Sequence, residues 1–443
     1  MKITFAILIF LLFPACAVLD PHNIVGRRFS TESTDVVAGS DTRWRQAALD
    51  EVWTTINERY YDPGLNGVDW KAARTRHEPG ILAAASDDEY WERLDKMAGE
   101  MRDSHTRVHS PKQAAQQRSF ESHSLGFSFQ EMGDALVVTS VHAESDAYWA
   151  GVRSGMTISM IDGEPALKKY QQLLAEVRNT STAWARARGA QRKISAGEIG
   201  TSVSMSFKRT EGGEINTTLQ RRRFVSPPSH TVRKLPSGFG YVRFSEFNET
   251  LAGSVRNAIA GLRDAPGMIL DLRNNGGGSL RMATEIASQF FIDTRDGARV
   301  LTRTGKPVTV AFIPVINLET KIVGNPATAY TKPLVVLTNE NSASASEVLA
   351  GTLQSLGRAT VLGQRTCGCL LGYLGYADLP GGGKLAYSEL GFMLPDGRRI
   401  EGEGVMPTMN IVPTRDDLML NRDRALEAAE VFLKEKTAGN ILK

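Results

Sequence analysis

The spacing of apolar residues divides the chain into three stretches, and the first of them has a helical period. From Thr42 onward, apolar residues recur every three or four positions, at Trp44, Ala48, Val52, Ile56 and Tyr60. A helix with 3.6 residues per turn places such residues on one face, so the pattern predicts an amphipathic helix. The segments DWKAARTRH and DDEYWERLDKMAGEMRD follow after a Pro-Gly turn. Residues 42–103 are therefore predicted to form a small helical domain.

The second stretch, from Ser119, has a period of two. The segment SLGFSFQEMGDALVVTSVHAES alternates apolar and polar residues around a Gly-Asp turn, which is typical of short strands. The segment AYWAGVRSGMTISMIDGEPA predicts a short helix, a turn and a strand. After a helical, basic insertion, SVSMSFKRTEGGEINTTLQ predicts a hairpin around Gly212 and Gly213. We expect a compact, mostly β module with one or two helices.

The third stretch, from about Ser229, alternates strands and helices. The strands GMILDLR and PLVVLTN are almost entirely apolar, which is typical of parallel strands buried on both faces. Helical segments follow them, LRMATEIASQFF after the first and ASEVLAGTLQSLG after the second, the latter ending at Gly357. The chain closes with the amphipathic helix RDRALEAAEVFLKEK. This order predicts a parallel sheet covered by helices.

The N-terminus predicts export. One cation, Lys2, precedes the apolar run Ile3–Phe13, which is too short to span a bilayer because a helix needs about 20 residues for that. Small residues follow, and they predict a signal peptide over residues 1–17 and a leader over residues 18–41. The alternative is cleavage behind Ala15 and lipidation of Cys16. No later stretch is apolar enough to cross a membrane, and we expect a periplasmic protein.

Composition excludes several other classes of partner. The chain has 443 residues, 42% of them hydrophobic and 23% charged, as in ordinary globular proteins. A formal net charge of +3 is too small to imply binding to nucleic acid or to an anionic membrane. The local basic cluster of Arg186, Arg188, Arg192 and Lys193 is expected to be a solvated face. Cys367 and Cys369 lack a nearby histidine cluster, so no metal site is expected.

A cluster of serines lies where a strand gives way to a helix. In NENSASASEV, Ser344 and Glu347 have the S-x-x-E spacing of a capping box, which places Ser344 at the helix N-cap. The unpaired amides and the positive end of the helix dipole would stabilise negative charge that develops there. Capping boxes are common, however, and on its own this spacing is explained by helix initiation alone.

A second strand ends in three consecutive glycines. In ILDLRNNGGGSL, Gly276–Gly278 let backbone amides approach a reacting group closely, as an oxyanion hole requires. A tight turn into the next helix is the structural alternative. The carboxyl ends of parallel strands meet at one edge of a sheet, which is where sites in α/β proteins occur.

Several segments in the same order resemble the carboxyl-terminal processing (tail-specific) serine peptidases and the related tricorn core domain. They include GYVRFSEF, ILDLRNNGGGSL, LVVLTNENSASASEVLAGTLQSLGRATVLGQRT and GRRIEGEGVMP, and the likeness extends over residues 42–413. The resemblance implies an α/β multi-domain fold. Its expected parts are a helical domain (42–115), a PDZ-like β-rich domain (116–226), a ClpP/crotonase-like α/β peptidase core (227–415) and a C-terminal helix (416–443).

The resemblance also implies roles for individual residues. The nucleophile of the family corresponds to Ser344, and its oxyanion donors correspond to the backbone amides of Gly277 and Ala345. Ser342 and Ser346 are then structural. In the PDZ-like domain, the loop Leu125, Gly126 and Phe127 would hold the carboxylate of a substrate tail. No metal or organic cofactor is required by this chemistry.

The base of the tail-specific branch is missing. Its lysine, 25 residues after the serine in a T-F-G-K-G loop, corresponds here to Cys369 in TCGCL. A thiol does not replace a lysine as base, because its thiolate is a nucleophile, and Lys384 is expected to be a surface residue. The tricorn branch uses a histidine that follows a serine, as in Ser104-His105, oriented by a glutamate. That glutamate corresponds to Glu401, with Glu403 as the close alternative.

Three interpretations remain open at this point. In the first, Ser344, His105 and Glu401 form a triad in an exported endopeptidase that cuts unfolded proteins or C-terminal tails. In the second, the chain binds peptides through its PDZ-like domain without cutting them. In the third, the CGC pair carries the chemistry, as a labile disulfide or with Cys369 as a nucleophile served by His105. The first accounts best for an intact serine motif, since the third leaves that motif without a purpose.

Overall fold

The structure is a computed structural model, and it describes Asp20 and residues 42–117, 123–224, 227–310 and 312–441. The predicted signal peptide (1–17), the lipidation site Cys16 and nearly all of the predicted leader (18–41) lie outside the described residues. Within the described ranges, no helix combines the length and apolarity needed to cross a membrane.

The first region is helical, as the 3.6-residue period predicts, and one face of its first helix is buried. Its buried apolar cluster continues onto residues from the far end of the chain, including Leu385 and Tyr387. The elements are helices α1 (Arg43–Arg59), α2 (Trp70–Leu82), α3 (Asp87–Ala98) and α4 (Pro111–Gln117), 3₁₀ turns at Leu65–Gly67 and Gly99–Met101, and strand β1 (Arg107–His109).

The second region is a sheet with two longer helices. Its strands pair in the order β3-β4-β5-β7-β8, so β3 lies at an edge, and β6 adds to β5. The elements are strands β2 (His123–Ser124), β3 (Phe127–Met132), β4 (Ala135–Val141), β5 (Thr157–Ile161), β6 (Glu164–Pro165), β7 (Ser202–Lys208), β8 (Glu214–Gln220) and β9 (Arg222–Arg223), and helices α5 (Asp146–Trp149), α6 (Ala166–Glu176) and α7 (Ala183–Ser195).

The third region alternates strands and helices. Its helices are α8 (Glu249–Gly261), α9 (Leu280–Ser288), α10 (Ala345–Ser355), α11 (Arg415–Met419) and α12 (Arg424–Ile441). Its strands are β10 (His230–Lys234), β11 (Gly240–Phe244), β12 (Met268–Asp271), β13 (Arg295–Leu301), β14 (Val308–Val310), β15 (Ile313–Ile316), β16 (Glu319–Ile322), β17 (Leu334–Thr338), β18 (Thr360–Gly363), β19 (Ala377–Asp378), β20 (Lys384–Ala386), β21 (Gly391–Met393) and β22 (Met409–Asn410).

A six-stranded sheet in the order β10-β11-β12-β17-β18-β22 forms the centre of this region. All neighbours from β11 to β22 are parallel, and β10 is antiparallel to β11. Leu270 and Val336 pack against helices α8, α9 and α10, whereas Ile269 and Val335 face α12 on the opposite side. Burial on both faces explains why these strands are apolar throughout instead of alternating.

Two connections bring distant parts of the chain to the same edge of this sheet. The loops after β12 and β17 leave from adjacent parallel strands, so they meet at the carboxyl ends. Strand β1 pairs antiparallel with β20, with Arg107 opposite Ala386. This pairing anchors the segment that carries His105 to the late part of the chain.

Candidate active site

Ser344 lies at the N-cap of helix α10, as the sequence predicts. Its backbone angles, φ 56° and ψ −119°, fall in a region that residues with a side chain seldom occupy. Strained backbone of this kind persists only where the surroundings impose it, and it concentrates at functional sites. The turn from β17 into α10 therefore presents this serine in an imposed conformation.

The carboxylate of Glu347 holds that turn in place. Its Oε2 accepts a hydrogen bond from the Ser344 N–H at 2.9 Å. Its Oε1 accepts from the Thr366 hydroxyl at 2.7 Å and from the Gly368 N–H at 2.7 Å. Burial raises the pKa of Glu347, and these donors oppose the rise. A fully buried carboxylate thus ties the serine turn to the loop that contains Cys367 and Cys369.

The glycine loop after β12 packs directly against Ser344. At Gly277, where φ is +102°, an added Cβ would lie 2.6 Å from Ser344 Cβ and 2.7 Å from the Ala343 carbonyl oxygen. The Gly277 N–H donates to Asn275 Oδ1 at 3.0 Å, so it would reach an oxyanion only by leaving or sharing that bond. The Ala345 N–H, in the first turn of α10, has no hydrogen-bond partner among the described residues.

The two flanking serines connect the serine turn to the glycine loop through hydrogen bonds. The Ser342 hydroxyl donates to the Leu272 carbonyl and the Ser346 hydroxyl to the Asn275 carbonyl, each at 2.8 Å. Both serines are fully buried. Of the three alternate serines, only Ser344 leaves its hydroxyl uncommitted to these backbone carbonyls.

Cys367 and Cys369 form a disulfide. Their sulfurs are bonded to each other, so neither is a thiolate that could attack a substrate. Lys384, in strand β20, does not supply a base either, because its ammonium pairs with Asp378 in strand β19. Its side chain is 15% exposed, so Lys384 is a half-buried residue.

Glu401 binds the residue that follows the disulfide. Its Oε2 accepts from the Leu370 N–H at 2.7 Å, and its Oε1 is buried with no hydrogen-bond partner among the described residues. Burial raises the pKa of Glu401 to about 8, the negative charges of Asp103 and Glu347 raise it further, and the Ser181 hydroxyl and the Leu370 N–H, both hydrogen-bond donors, oppose the rise. The alternative, Glu403, is exposed to solvent. Of the two acids that the sequence offers, Glu401 is the one directed inward.

His105 lies in the segment between the helical region and strand β1. Its Nδ1 is 3.8 Å from Asp103 Oδ1, and this nitrogen is buried without a hydrogen-bond partner in the described structure. Burial lowers the pKa of His105, the charge of Arg107 lowers it further, and Asp103 opposes both. The imidazole is therefore neutral near pH 7, which is the form that a general base requires.

Asp103 is a buried residue beside His105 for which no catalytic role was predicted. Its Oδ1 accepts from the His105 N–H at 2.6 Å. Its Oδ2 accepts from the hydroxyls of Thr106 and Ser388, each at 2.6 Å, and of Tyr60 at 3.1 Å. Both oxygens are therefore engaged, unlike those of Glu401. The position of Asp103 directly before Ser-His was the only signal in the sequence.

Ser104 bridges the helical region and the helix-rich part of the second region. Its N–H donates to Ser181 Oγ at 3.0 Å, and the Ser181 N–H donates to Ser104 Oγ at 2.9 Å. The next residue, Thr182, donates its hydroxyl to the Cys367 carbonyl at 2.9 Å. These contacts join the histidine segment to the disulfide loop, whereas no hydrogen bond links Ser344, His105 and Glu401 directly in the part of the chain that the structure describes.

The loop predicted to bind a substrate carboxylate is covered. Leu125 and Phe127 are 1% and 7% exposed. The Gly126 N–H donates to Ser124 Oγ at 3.2 Å, and an added Cβ at Gly126 would lie 2.7 Å from the ring of Phe224. Phe127 lines a cavity of about 660 Å³.

Comparison with known proteins agrees with this architecture. Residues 238–411 match Peptidase family S41, and residues 41–99 match the Tricorn protease C1 domain. Carboxyl-terminal-processing peptidase 3, chloroplastic, from Arabidopsis thaliana is 30% identical over 382 residues, which cover 82% of this chain and 68% of that protein. A carboxyl-terminal-processing protease from Picosynechococcus sp. is 28% identical over 381 residues, 83% of each chain.

Solved structures show the same fold at lower identity. The photosystem II D1 C-terminal processing protease has a TM-score of 0.57 at 23% identity and covers 84% of this chain and 94% of its own. Mature CPAF complexed with lactacystin has a TM-score of 0.67 at 15% identity, covering 89% and 99%. The mixed helix and sheet fold is thus that of the processing proteases. By its identity to the Arabidopsis thaliana peptidase over most of both chains, this protein belongs to the carboxyl-terminal-processing serine peptidases of family S41.

Proposed function

We propose that the protein is an exported endopeptidase that cuts unfolded proteins or C-terminal tails through Ser344, His105 and Glu401. One observation carries the proposal. His105 Nδ1 and Glu401 Oε1, two atoms that a proton relay would use, are both buried and without a hydrogen-bond partner in the described structure. Leaving a buried polar atom unpaired costs about 1–3 kcal/mol, so such atoms call for a functional explanation.

The contacts around these atoms support a single reaction centre. Glu401 accepts a hydrogen bond from the Leu370 N–H. The preceding residue, Cys369, donates its N–H to Glu347 at 3.3 Å. Glu347 in turn accepts from the Ser344 N–H. Asp103, beside His105, raises the pKa of Glu401 through its charge. Glu347, at the serine turn, raises the same pKa through its charge, so acids beside the histidine and beside the serine both act on Glu401.

The proposed reaction is acyl transfer through a covalent intermediate. Ser344 Oγ attacks the scissile carbonyl carbon while His105 accepts its proton on Nε2. The negative charge then lies on the former carbonyl oxygen, where the Ala345 N–H and the N-terminal end of α10 stabilise it. Collapse breaks the C–N bond and returns the proton to the leaving amine. Water, deprotonated by the same imidazole, then hydrolyses the acyl-enzyme and restores Ser344.

Glu401 is the proposed partner of the imidazolium that forms during attack. Asp103 is closer to Nδ1 in the resting structure, but four donors already occupy its two oxygens. Glu401 Oε1 has no such commitments. We assign the orienting role to Glu401 for that reason, and a structural role to Asp103.

The domain arrangement and cellular location belong to the same proposal. We infer a helical domain (42–115), a PDZ-like domain (116–226), a peptidase core (227–415) and a C-terminal helix (416–443), with export to the periplasm directed by residues 1–17. Fractionation of cells that express the wild-type chain and a Cys16→Ala variant tests the location. Release of wild type from the periplasm supports the cleaved form, and membrane retention lost in Cys16→Ala supports lipidation.

Cleavage of an unfolded protein with an apolar C-terminal tail tests the chemistry. Ser344→Ala and His105→Ala are each expected to lower kcat/KM on the order of 10³-fold or more. His109→Ala is the matched control, because His109 is a half-buried histidine two positions beyond Arg107 with no predicted role. Full activity of His105→Ala would exclude the proposed base. Absence of cleavage by wild type would exclude the proposed activity.

A further inference from the structure

The loop between α6 and α7, residues 177–182, belongs to the second region but reaches the proposed active site. Ser181 exchanges backbone-to-hydroxyl hydrogen bonds with Ser104, the residue before the proposed base. The Thr182 hydroxyl donates to the Cys367 carbonyl at 2.9 Å. Two successive residues of this loop therefore contact two different segments of the site.

Asn179 anchors the same loop in the helical region. This residue is 5% exposed, and its φ of 54° lies in the left-handed region that asparagine tolerates. Its Nδ2 donates to Asp95 Oδ1 at 3.0 Å and to the Asp95 carbonyl at 3.2 Å. An added Cβ at Gly99 would lie 1.6 Å from Asn179 Oδ1, so the asparagine fills the space beside this glycine. These contacts fix the loop two residues before Ser181.

Ser181 also lies beside Glu401. The Ser181 carbonyl oxygen would lie 3.9 Å from a Cβ added at Gly402, which directly follows Glu401. The Ser181 hydroxyl acts on the carboxyl itself, because as a donor it opposes the rise in the pKa of Glu401. One side chain of the second region is thus close to both the histidine segment and the proposed orienting acid.

The hydrogen bonds between the two serines leave one proton that Glu401 can accept. Ser181 Oγ accepts the Ser104 N–H at 3.0 Å, and the two hydroxyl oxygens are 2.9 Å apart. A hydroxyl has one donor and two acceptor sites, and either of these two can donate to the other. When the Ser104 hydroxyl donates, both acceptor sites of Ser181 are filled and its own proton is free. The incompletely paired carboxylate of Glu401 is the acceptor beside it.

We propose that Ser181 is a positioning residue of the peptidase, which donates a hydrogen bond to Glu401 and holds this acid in register with the Ser104–His105 segment. The inference rests on the proposed function and adds a residue that the second region contributes to it. Each oxygen of a carboxylate has two lone pairs, so Glu401 can accept from Ser181 and from the imidazolium together. A donor to the ionised carboxylate favours the form that pairs with the imidazolium.

The remaining surroundings of Glu401 make this donor important. The titratable groups that act on Glu401 or respond to its charge are Asp103 before β1, Glu347 on α10, and Tyr60 and Tyr61 after α1. The two carboxylates among them repel the negative charge of Glu401. Two donors act in the opposite direction, namely the Leu370 N–H and the Ser181 hydroxyl. Removal of Ser181 would leave the backbone donor to oppose that repulsion.

The kinetics of Ser181→Ala test the proposal on the unfolded, apolar-tailed substrate. We expect kcat to fall on the order of tenfold to a hundredfold with KM within about twofold of wild type, because the contact acts on proton transfer and not on substrate binding. The rise in kcat/KM with pH is expected to move upward by about one pH unit, because loss of the donor raises the pKa of Glu401. A general loosening of the fold would not move this rise.

Two further variants serve as controls. Ser181→Thr keeps a hydroxyl and is expected to retain the pH dependence of wild type. Ser154→Ala is the matched control, since Ser154 is a half-buried serine of the same region whose hydroxyl donates to the Thr139 carbonyl. The proposal is overturned if Ser181→Ala keeps the kcat and pH dependence of wild type, or if Ser154→Ala shows the same losses.

Urea unfolding tests the same hydrogen bond without any cleavage. A donor that binds the ionised carboxylate stabilises the folded state above the pH at which Glu401 ionises, and not below it. Ser181→Ala is therefore expected to raise the unfolding equilibrium constant on the order of fivefold more at about pH 9 than at about pH 6. In a Glu401→Gln background, the same substitution should have equal effects at both pH values. An equal effect in the wild-type background would overturn the proposal.

The two experiments separate this inference from the proposed catalysis. If wild type cuts nothing but Ser181→Ala shows the pH-dependent loss of stability, the contact with Glu401 stands and the catalytic proposal is wrong. If wild type cuts and Ser181→Ala changes neither the kinetics nor the pH dependence of stability, the contact alone is wrong.

Discussion

The Ser344 N–H donates to the Glu347 carboxylate at 2.9 Å, and this fully buried carboxylate also receives the amides of Gly368 and Cys369. The backbone of the serine turn is thus fixed by the disulfide loop, where tail-specific relatives were expected to place a lysine. The same loop continues to Leu370, whose N–H binds Glu401. Three successive amides, those of Gly368, Cys369 and Leu370, therefore bind the two carboxylates.

Replacement of Glu347 by glutamine is expected to lower both stability and activity. A glutamine offers one acceptor oxygen and one NH₂ group, which would face donors that now bind a carboxylate. We expect a loss of about 1–3 kcal/mol in the free energy of unfolding, measured in urea, together with a lower kcat. Glu403→Gln, an exposed position on the neighbouring loop, is the control and is expected to change neither quantity. An unchanged kcat in Glu347→Gln would contradict the positioning role.

Reduction of the Cys367–Cys369 disulfide is expected to affect activity more than global stability. The bond closes a very short loop, so chain-entropy arguments give it only about 1–2 kcal/mol of stabilisation. Its loss would nevertheless free the segment whose amides hold Glu347 and Glu401. We expect kcat to fall at least tenfold in dithiothreitol and to recover on reoxidation, while the thermal midpoint shifts by only a few degrees.

A Cys367→Ser/Cys369→Ser variant is the control for this experiment. It is expected to have the low activity of the reduced enzyme and no response to dithiothreitol. A variant as active as the oxidised wild type would show that the disulfide does not position the site.

Activity is expected to rise with pH through about 8 because Glu401 must ionise to stabilise the imidazolium. Burial raises the pKa of this carboxyl to about 8, whereas the pKa of His105 is lowered, so the histidine is already neutral in this range. The dependence of kcat/KM on pH measures this rise. Glu401→Gln is expected to lower activity and to remove the rise near pH 8. If the rise in kcat/KM near pH 8 is kept in Glu401→Gln but lost in Asp103→Asn, then Asp103, and not Glu401, stabilises the imidazolium.

The same raised pKa predicts that stability decreases with pH. Glu401 binds its proton more tightly in the folded state than in the unfolded chain, so its contribution is complete below about pH 4.5. That contribution is lost as pH rises from there to about 8, with a slope of at most about 1.4 kcal/mol per pH unit. Urea unfolding at several pH values measures the slope. Glu401→Gln is expected to reduce it, and an identical slope in both proteins would contradict the assignment.

Local patterns predicted most of the elements that carry the site. The stripe from Trp44 to Tyr60 corresponds to helix α1, and the apolar runs GMILDLR and PLVVLTN contain β12 and β17. The S-x-x-E spacing placed Ser344 at the N-cap, which is the observed position. These features depend on neighbours within a few residues, so a periodicity or a capping motif is enough to reveal them.

The contacts that tune the site depend on long-range packing and were not predictable in the same way. Asp103 is buried by Tyr60 and Ser388, which lie 43 and 285 residues away along the chain. Phe224 covers Gly126 from the end of a different strand, and Asn275 engages the amide expected to bind an oxyanion. The redox state of the CGC pair also remained open until the geometry of the loop was known. No periodicity encodes such contacts.

The contact between Gly277 and the serine turn supplies a test of the glycine loop. Gly277→Ala would place a methyl group 2.6 Å from Ser344 Cβ and would force alanine to adopt a φ of +102°. Because the Ala343 carbonyl and the Ala345 nitrogen are also within 3 Å, the serine turn itself would have to move. Gly276→Ala is the matched control, since its Cβ would meet no atom within 4 Å.

We expect Gly277→Ala to lower kcat/KM by at least a hundredfold, because a displacement of about 1 Å at a nucleophile is enough for such a loss. The free energy of unfolding should fall by about 1–3 kcal/mol from the strained backbone. Gly276→Ala should remain folded and retain most of its activity. Equal activity in the two variants would mean that contact between this loop and the serine is unimportant for the reaction. A loss confined to Gly277→Ala would tie catalysis to the point where the two strand-end loops touch.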